Sequence, residues 1–91
     1  MQYMLCRNRV RDYEKWRAVF NADADAHREA GLILANIWRE SDHPDTVHFL
    51  FEVHSQPKAK AFVSAPEAGD QGRKAGVIDG DYRFLDPVSR Y

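Results

Sequence analysis

Hydrophobic side chains recur with a helical period between Asp12 and Gly31, which predicts one amphipathic helix. At about 100° per residue, one stripe of this helix holds Tyr13, Trp16, Phe20, Ala24 and His27. Asp12 is placed to cap the first free N–H groups, and Gly31 suits the left-handed residue that ends a helix. His27 is the polar member of an otherwise apolar stripe, so it is the first candidate functional residue.

Four other segments alternate between apolar and polar positions with the period of two that is typical of strands. These segments are Gln2–Val10, Leu32–Arg39, Thr46–His54 and Val77–Asp86. Asn8 is the polar exception on the face that the first strand shares with Met4, Cys6 and Val10. The second segment is apolar on both faces, which indicates a strand that is covered on both sides.

A second helix is predicted between the third and fourth strands. Ser55 is its expected N-cap, and a proline near the first turn removes no helical hydrogen bond. Ala65-Pro66 interrupts this helix, because proline cannot donate to the preceding turn, and a further short helix is expected from Glu67 to Ala75. Gly76 ends it, and a short tail follows the last strand to Tyr91.

The resulting order, β-α-β-β-α-β, predicts an α+β, ferredoxin-like fold in a single domain spanning 1–91. With right-handed crossovers, a four-stranded antiparallel sheet carries both helices on one face. The residues expected under the helices are Met4, Cys6, Val10, Phe49, Phe51, Tyr82 and Phe84, with Tyr13, Trp16, Phe20 and Phe62 from the helices. The opposite face mixes charged and apolar residues, so it either binds something or meets a second copy of the chain.

Composition narrows the classes of function. At 91 residues, with 44% hydrophobic and 30% charged residues, the sequence describes an ordinary globular domain. A net charge of −1 argues against nucleic-acid binding, and the open sheet face lacks the aromatic pair of an RNA-binding sheet. The single cysteine excludes an internal disulfide and fits a reducing compartment. No apolar run approaches the roughly 20 residues of a membrane span, so a cytoplasmic protein without membrane contact is expected.

The element order and several local motifs resemble the dimeric α/β-barrel superfamily, which includes the cofactor-free antibiotic-biosynthesis monooxygenases. The similar motifs are Val-Arg-Asp-Tyr-Glu-Lys-Trp at Val10–Trp16, Phe20, Gly31, Phe-Leu-Phe-Glu at Phe49–Glu52, and Ser-Ala-Pro-Glu at Ser64–Glu67. The resemblance implies a homodimer in which two sheet faces form a barrel, with a pocket between each sheet and its helices. It further implies a small apolar or aromatic ligand, and cofactor-independent oxygenation or proton transfer as the chemistry.

Two alternatives accompany this interpretation. Chemistry varies widely across the superfamily, so the chain could instead be a non-catalytic, stress- or pathway-associated protein with no open site. Met4–Val10 is also similar to the first strand of a haem-degrading branch. However, Glu67–Ala75 contains no histidine to ligate haem, and Val53-His54 stands where that branch has an aromatic residue. We therefore expect no cofactor.

Asn8 and His27 are the candidate catalytic residues. The amide of Asn8 could orient a carbonyl or enolate in a pocket, or it could be a buried amide bonded to backbone or to His27. His27, with an ordinary pKa near 6.5, could act as a base if it lined a cavity, or it could be a satisfied core histidine. The candidate substrate-binding residues are Tyr13, Trp16, Phe20, Asn36, Trp38, Phe51 and Tyr82.

His48, Glu52 and His54 share one face of the third strand, but their spacing does not fit a metal site. At about 3.3 Å per residue, the two histidines lie roughly 20 Å apart, beyond one coordination sphere. A polar network between two facing sheets, with Arg7, Asp81 and Arg83, is the better interpretation. We therefore predict no metal, and we expect Cys6 to be a small buried hydrophobe.

Overall fold

A computed structural model describes residues 1–89 and contains one four-stranded antiparallel sheet. The strands are β1 (Gln2–Val10), β2 (Leu32–Arg39), β3 (Thr46–Val53) and β4 (Val77–Leu85). The helices are α1 (Tyr13–Ala22), α2 (Ala24–Glu29), α3 (Gln56–Ser64) and α4 (Pro66–Lys74). The strand order β2-β3-β1-β4, with helices on one face, confirms the ferredoxin-like prediction. Arg90 and Tyr91, at the end of the expected tail, lie outside the described residues.

The register of the central strands determines which side chains lie under the helices. Met4 pairs with Phe51 on β3 and with Phe84 on β4, so these three residues share the helix-covered face. The buried hydrophobic core is Met4, Cys6, Val10, Trp16, Ala30, Leu32, Val47, Phe49, Phe51, Val53, Ala59 and Ala75. Tyr82 points to the same face, but it is 48% exposed and is therefore not the core residue that its strand position predicts. β4 is an edge strand, and the helices cover it only in part.

The single helix predicted from Asp12 to Gly31 is divided at Asp23. α1 ends at Ala22 and α2 begins at Ala24, with Asp23 between them at φ −92° and ψ 9°. Aspartate favours such breaks because its side chain competes with the backbone for hydrogen bonds in a helix interior. The two ends of the predicted helix are confirmed, since the Asp12 carboxylate accepts from the N–H groups of Glu14 and Lys15, and Gly31 has φ +73°.

The second helical region follows the sequence prediction closely. The Ser55 hydroxyl accepts from the N–H of Lys58 and caps α3. The helix is interrupted at Ala65, which is extended, and α4 begins at Pro66. Gly76, at φ +74°, follows α4 and leads into β4. All nine residues of α4 remain at least partly exposed, so this helix lies loosely over the sheet.

A β-bulge in β2 reverses the side-chain pattern of this strand. Leu34 pairs with Phe51, but the next paired residue is Asn36, opposite Leu50, so Ala35 is the extra residue. Beyond the bulge, Ile37 faces the helices, whereas Asn36 and Trp38 lie on the open face. The expectation that β2 is covered on both sides is wrong for the single chain, because six of its eight residues are exposed, Trp38 among them at 47%. β2 is an edge strand, and nothing among residues 1–89 covers its outer face.

The open sheet face carries ion pairs between β1 and β4. Arg7 contacts Asp79 and Asp81 at 3.1 and 3.2 Å, and Arg9 contacts Asp79 at 2.6 Å. Arg83 lies 3.6 Å from Asp81, so Arg7, Asp81 and Arg83 form a network within one sheet. The contacts expected between these charges and a second sheet stay a prediction. The two guanidinium groups hold the pKa of Asp79 below its usual range, chiefly through the hydrogen bonds from Arg9.

The histidines of β3 contact carboxylates on separate parts of the sheet. His48 bonds Glu40 at 2.7 Å, whereas His54 lies 3.5 Å from Glu52. Across residues 1–89 no group of three or more histidine, cysteine or acidic side chains is arranged to hold an ion. Within the same range, every helix is too short or too polar to cross a membrane.

Candidate functional site

A cavity of about 450 Å³ lies between the helices and the sheet, under α1 on one side and α4 on the other. β1 and β3 form its floor, and β4 closes the edge. Its aromatic lining consists of Trp16, Phe20, Phe49, Phe51, Phe62 and Tyr82. A cavity of this size, largely apolar with a few polar groups, has the properties of a small-molecule site.

His27 forms one polar end of the cavity. It is 9% exposed and is surrounded by the rings of Phe20, Phe51 and Phe62, with centroids 4.8 to 5.7 Å away. Its Nε2 lies 3.5 Å from Oδ2 of Asp23. Burial lowers the pKa of His27 below its ordinary value of 6.5, against the opposing effect of the Asp23 charge. The imidazole is therefore neutral near pH 7 and can accept a proton.

Asp23 reaches His27 because the two residues are one helical turn apart, with the His27 N–H donating to the Asp23 carbonyl at 3.1 Å. An aspartate at the N-cap position of α2 stands four residues before His27, one turn away on the same face. The carboxylate makes no capping hydrogen bond to the α2 backbone, so it remains directed towards the imidazole. The sequence contains this pair at i, i+4 spacing, but the periodicity of apolar residues indicates His27 alone.

Asn8 forms the second polar end, on the cavity floor. With its amide oriented to satisfy both ends, the oxygen accepts from the indole N–H of Trp16 at 3.1 Å. The amide nitrogen donates to the carbonyl of Arg7 at 2.9 Å. Asn8 is therefore held by Trp16 and backbone, rather than by His27. One N–H of its amide is left over for a ligand.

Gly80 provides the space that the Asn8 amide occupies. It pairs with Asn8 across β1 and β4, and a Cβ at this position would stand 2.5 Å from both the Arg7 carbonyl oxygen and a terminal amide atom of Asn8. Any other residue would push the amide out of place. Sequence reasoning missed this role, because the cross-strand partner of a glycine depends on strand register.

Small residues form part of the wall that α4 contributes. Ala68, Gly69 and Gly72 line the cavity, and a Cβ on either glycine would meet no atom closer than 3.7 Å. Part of the cavity volume therefore exists because α4 carries no large side chain at these three positions. Cys6 lies on the floor opposite, where burial and then the charge of Asp81 raise the pKa of its thiol to about 12. It is an unreactive, largely buried thiol, as predicted.

The structure brings six of the nine candidate residues to this cavity. Asn8, His27, Trp16, Phe20, Phe51 and Tyr82 line it. Tyr13 lies outside it, where the Arg39 guanidinium covers its ring at 4.1 Å. Asn36 and Trp38 point away, because the bulge at Ala35 places them on the open face. Gln71 and Arg73 of α4 line the cavity too, although no sequence pattern singled them out.

Comparison with known proteins shows a likeness of fold. No family model and no curated protein matches this sequence. Among solved structures, a candidate antibiotic biosynthesis monooxygenase from Bordetella bronchiseptica superposes with a TM-score of 0.76 at 9% identity, over 97% of each chain. A candidate from Caulobacter crescentus gives 0.73 at 15% identity, over 97% of this chain and 90% of that one.

An uncharacterized NIPSNAP domain protein from Burkholderia xenovorans also matches, with a TM-score of 0.68 at 10% identity over 100% of this chain and 98% of that one. The TM-scores show that the chain has the fold of antibiotic biosynthesis monooxygenase-like proteins. They carry no catalytic residue across, so function has to be argued from the cavity itself.

Proposed function

We propose that this protein binds a small aromatic molecule with an ionisable hydrogen in the cavity between helices and sheet. The observation that carries this proposal is that one apolar cavity of about 450 Å³ holds both His27 and Asn8 in its lining. Aromatic rings pack favourably against the surrounding aromatic lining. The two polar ends fix the orientation of a ligand that carries a hydroxyl or carbonyl group.

His27 is the proposed base. Its neutral imidazole accepts a proton from an activated C–H or O–H of the ligand, and Asp23 then stabilises the imidazolium from 3.5 Å. An ionised Asp23 favours the tautomer with hydrogen on Nε2, which leaves Nδ1 as the acceptor. The surrounding phenylalanine rings keep the site poor in water, so the charge pair formed by the transfer is weakly screened.

Asn8 is the proposed partner of the ligand oxygen. An anion formed by loss of a proton next to a carbonyl carries its charge on oxygen, and an amide N–H stabilises such a charge. Trp16 and the Arg7 carbonyl hold the amide in one orientation, so it needs little reorganisation when the charge develops. Tyr82, half exposed at the edge, marks the side where β4 borders the cavity.

Oxygenation without a cofactor is the reaction that this arrangement serves. A ligand CH₂ gives its proton to His27, and the carbanion adds O₂ and takes the proton back as a hydroperoxide. Loss of water then leaves a carbonyl. One oxygen atom enters the product and the other leaves as water, so the CH₂ is oxidised by four electrons and O₂ is reduced by four.

Dimerisation through the open sheet face is part of the proposal. Two copies meeting there would cover the exposed Trp38 and Ile33, together with the half-buried Leu5 and Leu50 of the central strands. The ion pairs of Arg7 and Arg9 already satisfy the charged part of this face within one chain, which lowers the cost of burying it.

The test combines binding with oxygen uptake. We expect 1-naphthol to bind saturably in calorimetry, and anthrone, which carries an activated CH₂, to consume one O₂ per molecule oxidised. Ala68→Phe fills the cavity from α4 and should weaken 1-naphthol binding by about tenfold or more. The matched control is Ala18→Phe, which adds the same ring at an exposed position of α1 outside the cavity lining.

The variants separate binding from catalysis. His27→Gln should keep most of the 1-naphthol affinity and lose oxygen uptake. Saturable binding without uptake in the unaltered protein would leave a non-catalytic binding protein. Equal affinity in Ala68→Phe and the unaltered protein, both shown to be folded, would contradict the cavity as the binding site.

A further inference from the structure

A second cavity, of about 420 Å³, lies beside the first between α2 and the edge strand β2. Leu32, Ile33 and Leu34 of β2 form one wall, and Ala24 of α2 lies opposite. Leu32 is 1% exposed, whereas Leu34 is 39% exposed, so this cavity runs from the core to the surface along β2.

The two cavities share a partition made of Phe20, His27 and Phe51, which line both. The ring centroids within this partition are close, at 4.8 Å for Phe20–His27, 5.2 Å for His27–Phe51 and 6.1 Å for Phe20–Phe51. One layer of side chains thus separates the cavities. Phe20 is only partly buried, whereas His27 and Phe51 are buried, so Phe20 is the side chain of the partition that would move to join the cavities.

The second cavity differs from the first in chemistry. Its walls are aliphatic and aromatic. Apart from His27, its polar side chains are Asn21 of α1 and Arg28 of α2. Arg28 is already paired with Asp25 one turn before it. Asn21 accepts a hydrogen bond from Arg17. A hydrocarbon chain therefore fits these walls better than a polar group or an ion.

We propose that the ligand has two parts, an aromatic head in the first cavity and an alkyl or prenyl tail in the second. This inference rests on the proposed function, since it places the head against His27 and Asn8. The tail passes the partition at Phe20 and extends along Leu32 and Leu34 towards the surface. The site thereby selects tailed phenols and quinols over small bare ones.

The test is the dependence of affinity on tail length. Each buried CH₂ is worth about 0.8 kcal/mol, which corresponds to about fourfold in affinity. We expect the Kd of 4-alkylphenols, measured by calorimetry from 4-methylphenol to 4-hexylphenol, to fall by about twofold to fourfold per methylene. Amide signals of Ala24 and Leu34 should shift in NMR spectra with 4-hexylphenol and stay in place with 4-methylphenol.

Two variants locate the tail. Ala24→Phe fills the second cavity and should flatten the length dependence while leaving 4-methylphenol affinity unchanged. Its control, Ala22→Phe, adds the ring at an exposed site in neither lining. Leu34→Glu places a charge at the surface end of the second cavity and should likewise flatten the dependence of affinity on tail length. Ala35→Glu carries that charge on the bulged residue, outside the lining, and should have no effect.

The failures are distinguishable. If 4-methylphenol and 1-naphthol bind and the length dependence survives both Ala24→Phe and Leu34→Glu, the tail lies elsewhere and this inference is wrong while the proposed function stands. If Ala68→Phe flattens the length dependence instead, the tail lies in the first cavity. If no member of either ligand class binds to the folded protein, the proposed function and this inference fall together.

Discussion

The indole N–H of Trp16 donates to the side-chain oxygen of Asn8 over 3.1 Å, and this bond joins the first helix to the first strand at the cavity floor. Trp16 is 2% exposed and also packs on Phe20 and Phe49, with ring centroids 4.8 and 5.4 Å away. One residue therefore supplies part of the core and the orientation of a candidate catalytic amide.

Trp16→Phe removes this N–H but keeps an aromatic ring. We expect the free energy of unfolding to fall by about 1–3 kcal/mol, because the oxygen of the partly buried Asn8 amide loses its hydrogen-bond partner. Urea denaturation measures the loss. The double variant with Asn8→Leu removes both partners and should recover part of the stability. Strictly additive effects of the two substitutions would contradict the coupling.

Gly80→Ala should destabilise the protein by about 1–3 kcal/mol, because the new Cβ overpacks the site of the Asn8 amide. Thermal or urea unfolding detects the change. Gly69→Ala is the matched control, since its Cβ would meet only Arg73 Nη1, at 3.7 Å, and alanine favours a helix. An equal loss in both variants would show that glycine flexibility, rather than space for Asn8, matters at position 80.

The burial of His27 makes stability depend on pH in one direction. Its pKa in the folded protein lies below the ordinary 6.5, so the unfolded chain takes up the proton first as pH falls. The free energy of unfolding therefore keeps its full value with respect to His27 above pH 6.5, and it falls as the pH drops below that value. We expect urea denaturation to show a decline in that range that His27→Phe abolishes.

Asp23→Asn tests whether the Asp23 carboxylate acts on the pKa of His27. The Asp23 carboxylate raises the pKa of His27 against the larger effect of burial, so its removal should lower that pKa further and steepen the acid loss. NMR titration of the His27 ring follows the change directly. His43→Gln is the control, because the side chain of His43 is 71% exposed in the β2–β3 turn. A His27 titration that Asp23→Asn leaves unchanged would exclude the pairing.

Leu50→Asp should convert the proposed dimer to monomer. Leu50 lies on central strand β3 and faces the open side of the sheet, opposite Leu5, so the variant places a charge where two sheets would meet. Light scattering at micromolar concentration should give twice the chain mass for the unaltered protein and one chain mass for the variant. Ala61→Asp, at an exposed position of α3, should remain a dimer. A monomer without any substitution would exclude the barrel.

The sequence alone determined most of the elements and their ends, but not the division of the first helix at Asp23. β1 and β2 have the predicted bounds, β3 and β4 each end one residue earlier, and Asp12 and Ser55 cap their helices as expected. These features are local, because they depend on the period of two or 3.6 and on backbone preferences of single residues. His27 and Asn8 also followed from pattern, as polar residues on apolar faces.

The tertiary structure decided what surrounds those residues. Strict alternation along β2 could not reveal the bulge at Ala35, which depends on pairing with β3 and turns Asn36 and Trp38 to the open face. The space over Asn8 depends on its register with Gly80, and the cavity depends on how loosely α4 covers the sheet. Register, bulges and voids arise from contacts between segments that are distant in sequence. Local sequence patterns therefore do not reveal them.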